Sequence, residues 1–265
     1  MAPFQGRFAW YELLTTDTAA AKAFYTKVVG WGTQTPPSSL PGIEYTLFTA
    51  GNVPAAGLMN QPEDAKRMGA PPSWLGYVEV GDVDASTEKA KRLGATLYVP
   101  PQDIPGVCRF SVFADPLMAT LAVLKWANPM PGEPPDQGAP GYTGWNELHS
   151  TDWSKVFGFY SELFGWQKAE AMDMGAMGSY QLFTAGGPPI GGMFNSPAAS
   201  RHPFWIYYFN VKGAEEAAER VTAGGGKIVQ GLTQVPGGNF IVQCADPQGA
   251  MFAVVGPRNE SAAAA

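Results

Sequence analysis

The strongest constraint on this chain is an internal duplication. Trp10-Tyr11-Glu12-Leu13-Leu14-Thr15-Thr16-Asp17 returns as Trp145-Asn146-Glu147-Leu148-His149-Ser150-Thr151-Asp152, displaced by 135 residues. The same displacement carries Phe24-Tyr25 onto Phe159-Tyr160, Gly30-Trp31 onto Gly165-Trp166, Tyr45 through Gly51 onto Tyr180 through Gly186, and Gly57 onto Gly192. The loop before Trp205 is then four residues shorter than the loop before Trp74, and the displacement becomes 131. With that value Trp74, Gly94 and Asp115-Pro116 meet Trp205, Gly225 and Asp246-Pro247. Solenoid repeats recur every roughly 20–50 residues. A period this long therefore predicts two duplicated modules, each near the usual size of a domain.

The boundaries follow from composition. Residues 7–126 form the first module and 142–257 the second. Between them, 127–141 is so rich in Pro and Gly that it reads as a linker. The stretch 258–265 has no periodic apolar face and reads as a tail. An apolar content of 45% suffices for a core in each module. A net charge of −6 argues against a nucleic-acid surface, which needs a basic stripe. No membrane span or apolar signal core is visible, and Cys108 and Cys244 do not occupy matching positions. The expectation is a cytoplasmic protein with reduced thiols and neither a nucleic-acid nor a membrane partner.

Within one module, residues 7–14 read as a strand, followed by a helix capped by Thr16 or Asp17 and stopped near Gly30. A loop at 36–42 leads to strands at Tyr45–Ala50 and Ala56–Met59. A further strand at Trp74–Val80, a helix at Asp84–Leu93 ended by Gly94, and a hairpin of Arg109–Phe113 and Thr120–Leu124 complete the module. The second copy repeats the order, with helices near 153–163 and 214–223. Alternation along the first strand puts Trp10, Glu12 and Leu14 on one face. The matching face of the second copy carries Trp145, Glu147 and His149. By the same parity Tyr77 and Glu79, and Tyr208 and Asn210, face the same way as these residues.

The run Trp-x-Glu-Leu-x-Ser/Thr-x-Asp, then Phe-Tyr, Gly-Trp and a late Asp-Pro, resembles the vicinal oxygen chelate superfamily of glyoxalases, bleomycin resistance proteins and extradiol dioxygenases. Two-module glyoxalase-like proteins are the most similar. The resemblance covers essentially the whole chain apart from linker and tail. It implies an α+β fold: tandem βαβββ modules forming a concave, partly closed mixed sheet around a cavity, with helices outside. Metal-dependent members carry His or Glu ligands on the cavity face. The matching positions here are Trp10 and Trp145, Leu75 and Ile206, and Ala122 and Ala253. No His or carboxylate lies between Val53 and Met59 or between Pro188 and Phe194. Such side chains offer no donor to a divalent cation, so neither metal nor other cofactor is expected. A site rebuilt from Glu147 and His149 lacks a visible third ligand.

Glu12 and Glu147 admit two readings. A carboxylate in an apolar pocket is pushed toward a general base working near neutral pH. Alternatively it accepts hydrogen bonds that hold the modules or a ligand. One reaction needs at most one base per pocket, so recurrence in both copies favours the second reading. The candidate catalytic residues are Glu12, Glu147 and His149. The candidate ligand contacts are Trp10, Tyr77, Glu79, Trp145, Tyr208 and Asn210, aromatic walls with polar tips. Most strand aromatics, Tyr45 and Tyr180 among them, read as core. Asp115-Pro116 and Asp246-Pro247 read as turn chemistry. The leading function is metal-independent binding of a small aromatic or amphiphilic molecule. The alternative is a glyoxalase-type lyase, isomerase or hydroxylase-like enzyme with a cavity Glu as base. A third class, an interaction protein, leaves a homodimer open.

Overall fold

A computed structural model describes residues 5–36, 44–128, 138–196 and 202–258. The expected loop at 36–42, the linker at 127–141 and the tail at 258–265 lie largely outside those residues. The first repeat runs β1 (Phe8–Thr15), α1 (Thr18–Val28), β2 (Gly32–Gln34), β3 (Tyr45–Ala50), β4 (Val53–Asn60) and the short α2 (Glu63–Arg67). It continues with β5 (Ser73–Glu79), α3 (Val83–Arg92), β6 (Thr96–Ile104), β7 (Cys108–Ala114) and β8 (Thr120–Trp126). The second repeat runs β9 (Thr143–Ser150), α4 (Trp153–Phe164), β10 (Gln167–Asp173), β11 (Ser179–Thr184) and β12 (Pro189–Asn195). It ends with β13 (Phe204–Asn210), α5 (Ala214–Ala223), β14 (Lys227–Gln234), β15 (Phe240–Ala245) and β16 (Met251–Gly256). The βαβββ pattern thus occurs four times, twice per repeat, and the fold is α+β.

Each repeat supplies one eight-stranded mixed sheet, ordered β2-β3-β4-β1-β5-β8-β7-β6 and β10-β11-β12-β9-β13-β16-β15-β14. Hairpins pair antiparallel, while β1 with β4, β5 with β8, β9 with β12 and β13 with β16 pair parallel. Helices α1, α3 and α4 start where the sequence supplies aspartate caps. Asp17, Asp82 and Asp152 accept the amide protons of Ala20, Ala85 and Lys155, each bond satisfying one of the amides that a helix start leaves open. Gly165 closes α4 at φ 76°, a left-handed geometry that a side chain disfavours.

The strands not foreseen are β2, β6, β10 and β14, all at sheet edges. Pro100-Pro101 argues against a strand in the middle of a sheet. In β6 the pair sits on an edge, within the register shift from Val99 to Gln102, where a missing amide proton breaks few ladder bonds. In β14, Lys227 through Gly231 are all exposed, so no apolar alternation marks it.

The repeats and the compact units differ. Among the described residues, one unit combines β6–β8 and α3 with α4 and β10–β12. The other combines α1, α2 and β2–β4 with α5 and β14–β16. Their boundary falls within β1, β5, β9 and β13. Each unit therefore takes half of each repeat. In the first unit the buried Tyr160 hydroxyl donates to Asp115 Oδ2 at 2.7 Å and accepts from Trp205 Nε1 at 3.2 Å. In the second, Tyr25 donates to Asp246 Oδ2 at 3.1 Å and accepts from Trp74 Nε1 at 2.9 Å. Trp166 Nε1 donates to Gly6 O and Trp31 Nε1 to Gly141 O, both at 2.6 Å. Tyr160, Tyr25, Trp166 and Trp31 each reach a partner outside their own repeat. The surrounding cores are aromatic: Trp166 stacks on Phe183 at 4.5 Å and Trp31 on Phe48 at 4.8 Å. Burying each such side chain contributes about 1.5–3 kcal/mol.

Candidate functional site

The site lies in the first compact unit and begins with the parallel register of β9 and β12. Asn146 pairs with Gly191, Glu147 with Gly192 and His149 with Phe194. The Asn146 amide donates to Ile190 O at 2.7 Å and pins that register. Both glycines are required by crowding. A Cβ at Gly191 would lie 2.2 Å from Asn146 O, and one at Gly192 would lie 2.1 Å from the Tyr180 ring. Tyr180, on β11, can therefore lie across β12 and reach Glu147.

A chain of hydrogen bonds follows. Trp145 Nε1 donates to the Tyr180 hydroxyl at 2.7 Å, and that hydroxyl donates to Glu147 Oε2 at 2.7 Å. Glu147 Oε1 meets His149 Nε2 at 2.9 Å. An ionised carboxylate only accepts, so a neutral His149 carries its proton on Nε2 and leaves Nδ1 as a lone pair. His149 Nδ1 has no hydrogen-bond partner among the described residues. The imidazole is stacked on Phe204, with ring centroids 4.4 Å apart, and meets Phe194 edge-on at 4.5 Å. Glu147 and His149 are 6% and 9% exposed, so both are largely removed from water without being sealed. Burial, and then the Glu147 charge, push the Tyr180 phenol well above its ordinary range, which keeps it a neutral donor.

The other candidates are placed as follows. Glu12 is buried and accepts from the Tyr45 hydroxyl at 2.7 Å in the second compact unit. Trp10 belongs to the first unit, where it meets Trp126 edge-on at 6.0 Å. Trp126 lines an open cleft of about 520 Å³ beside the 104–106 turn. Tyr77 packs near Phe110, and burial raises the pKa of Glu79. Tyr208 accepts from the Gln243 amide at 2.8 Å, and the Asn210 amide donates to Ala139 O at 3.2 Å. Of the nine candidates, the structure links Trp145, Glu147 and His149 into one network. The three residues that complete it, Tyr180, Phe194 and Phe204, were not singled out as its members. Their signal lay in the repeat alignment: His149, Phe194 and Phe204 replace Leu14, Met59 and Ser73 together.

Among the described residues, the side chains at the positions matched to family metal ligands offer no donor to a divalent cation. The positions that match family ligands hold Trp, Leu or Ile, and Ala, and Tyr77 and Tyr208 pair with Ala122 and Ala253. Among the described residues no three His, Cys, Asp or Glu side chains come together. No helix among them is long and apolar enough to cross a membrane.

The Glyoxalase/Bleomycin resistance protein/Dioxygenase superfamily matches residues 7–123 and 146–254. CFP32 of Mycobacterium tuberculosis, which carries a provisional glyoxylase name, is 32% identical over 96% of this chain and 95% of its own. The anthracycline biosynthesis protein DauV of Streptomyces sp. strain C5 is 29% identical over 98% of this chain and 96% of its own. Among solved structures, the Mn(II)-bound glyoxalase of Novosphingobium aromaticivorans superposes with a TM-score of 0.66 at 16% identity, covering 96% of this chain and 83% of that one. A variant of homoprotocatechuate 2,3-dioxygenase from B. fuscum gives 0.64 at 14% identity, covering 96% and 72%. At those identities the structures bear on the fold alone. The chain belongs to the Glyoxalase/Bleomycin resistance protein/Dioxygenase superfamily.

Proposed function

We propose that this protein binds a small aromatic or amphiphilic molecule without the help of a metal ion. The observation that carries this reading is the ring-walled imidazole of His149, held by Glu147 and Tyr180. It is a polar point set in aromatic surface, the composition of a small-molecule site. The side chains at the family's ligand positions support the metal-independent part. The relatives named for anthracycline biosynthesis favour a polycyclic aromatic compound over a small aliphatic one. Glu147 serves as an anchor in this reading: each of its carboxylate oxygens accepts a hydrogen bond, and it fixes the imidazole tautomer.

The test is thermal unfolding against a panel of hydroxylated polycyclic aromatics, with elemental analysis of protein purified without chelator. A ligand at a hundred times its Kd adds about 2.7 kcal/mol of stability, so the melting temperature rises by several degrees. No rise across the panel overturns binding, and tightly held stoichiometric metal overturns metal independence. The hydrogen-bonded His149–Glu147 pair favours one second reading, a lyase, isomerase or hydroxylase-like enzyme. In that case Glu147→Gln abolishes turnover of the bound compound while leaving the melting temperature nearly unchanged.

A further inference from the structure

We infer that the chain takes one ligand, not two, and that it does so in the second repeat through a hydrogen bond from a phenolic hydroxyl to His149 Nδ1. This rests on the binding reading above and assigns that reading a ligand chemistry and a stoichiometry.

Nε2 is committed to Glu147 at 2.9 Å, so in the neutral imidazole the lone pair on Nδ1 is left for a ligand that packs against Phe194 and Phe204. Both phenylalanines are half-buried, so neither is fully withdrawn from solvent. A lone pair selects a donor. A neutral phenol O–H meets it directly, and its ring continues the aromatic surface at the separations that rings favour. A carboxylate ligand would bring a second negative charge toward Glu147 and a second acceptor toward Nδ1, and is selected against. A methyl ether keeps the ring and loses the donor, leaving the acceptor unpaired.

The first repeat cannot do the same. Its matching residues are Leu14, Met59 and Ser73, which offer neither an imidazole nor aromatic walls. Glu12 and Tyr45 persist there, with their 2.7 Å bond, yet no imidazole stands beside them to be oriented. The carboxylate–tyrosine pair is thus common to both repeats, and the recognising group belongs to one.

Isothermal titration of the full chain with β-hydroxyanthraquinone and with its methyl ether tests this, repeated on His149→Leu, which installs the residue of the first repeat. The native chain is expected to bind one equivalent of the phenol, about tenfold more tightly than the ether, a difference close to the net worth of one neutral hydrogen bond. In a folded His149→Leu the preference for the phenol disappears. Two equivalents per chain, equal affinity of the native chain for phenol and ether, or a preference that survives in His149→Leu would each overturn the inference while leaving binding intact. Failure of the native chain to bind either probe would overturn the inference together with the binding reading. Should His149→Leu not fold, the comparison of phenol with ether on the native chain still decides.

Discussion

The same pair of groups is placed in two settings by the duplication. In the first repeat Tyr45 bonds Glu12, Tyr45 is half-buried, and the next position along the face is Leu14. In the second, Tyr180 is 9% exposed, accepts from Trp145, and hands on to an imidazole through Glu147. The carboxylate–phenol bond is common property and holds the sheet face together. The repeats differ on three strands, at His149 on β9, Phe194 on β12 and Phe204 on β13. The pair kept in both repeats serves the architecture, and the proposed ligand contact lies where the repeats diverge.

The largest effect that would break this contrast is expected at Gly192. An alanine there places a methyl group 2.1 Å from the Tyr180 ring, and that ring is held by Trp145 and Glu147. Denaturant unfolding should show a loss of about 3 kcal/mol, together with loss of binding by the second repeat. An unchanged midpoint would mean that Tyr180 is free to leave, and that the relay is not a built feature. A smaller and more discriminating effect comes from Tyr180→Phe beside Tyr45→Phe. The first leaves Trp145 Nε1 and Glu147 Oε2 without that hydroxyl and should cost about 2 kcal/mol. The second removes the Glu12 bond in a wetter setting and should cost less. Equal losses would erase the distinction between the repeats.

The smallest effect is in alkaline solution. Burial raises the phenols of Tyr25 and Tyr180 well above their usual range. The sign follows from linkage: the folded protein keeps protons that the unfolded chain gives up near pH 10, so stability is lost from about pH 10 upward. Tyr180→Phe and Tyr25→Phe should each flatten that decline relative to the parent. Midpoints of urea unfolding followed by circular dichroism across this range would show it, and parallel curves would mean that both hydroxyls ionise freely in the folded state.

Much of the fold was legible because duplication supplies its own control. Strand and helix positions that recur at a displacement of 135 or 131 are hard to misread, and the Asp caps and terminal glycines mark the helix ends. The edge strands escaped because an edge tolerates Pro100-Pro101 and does not require the alternation that burial imposes. At the site, parity along β9 was enough to put Glu147 beside His149. It could not supply Tyr180, which lies 33 residues away and arrives only because Gly192 lacks a side chain. Asp115 and Asp246 were read as turn residues, and they do accept turn amides from Leu117 and Ala119, and from Gln248 and Ala250. Their second oxygens receive a tyrosine from the other repeat, a partner 45 or 221 residues distant that no local pattern announces.

That last distance has a consequence for how the protein is made. Tyr25 and Trp74 leave the ribosome early, but the carboxylate that completes their hydrogen-bond chain is 221 residues beyond Tyr25. At bacterial and eukaryotic synthesis rates the wait is roughly ten to forty seconds. During that time the aromatic surface around Tyr25, Trp31 and Trp74 lacks Phe252 and Phe209, the rings it packs against in the finished unit. The rings that cover this surface in the finished unit are supplied by β13 and β16, so its packing is complete only after both strands are translated.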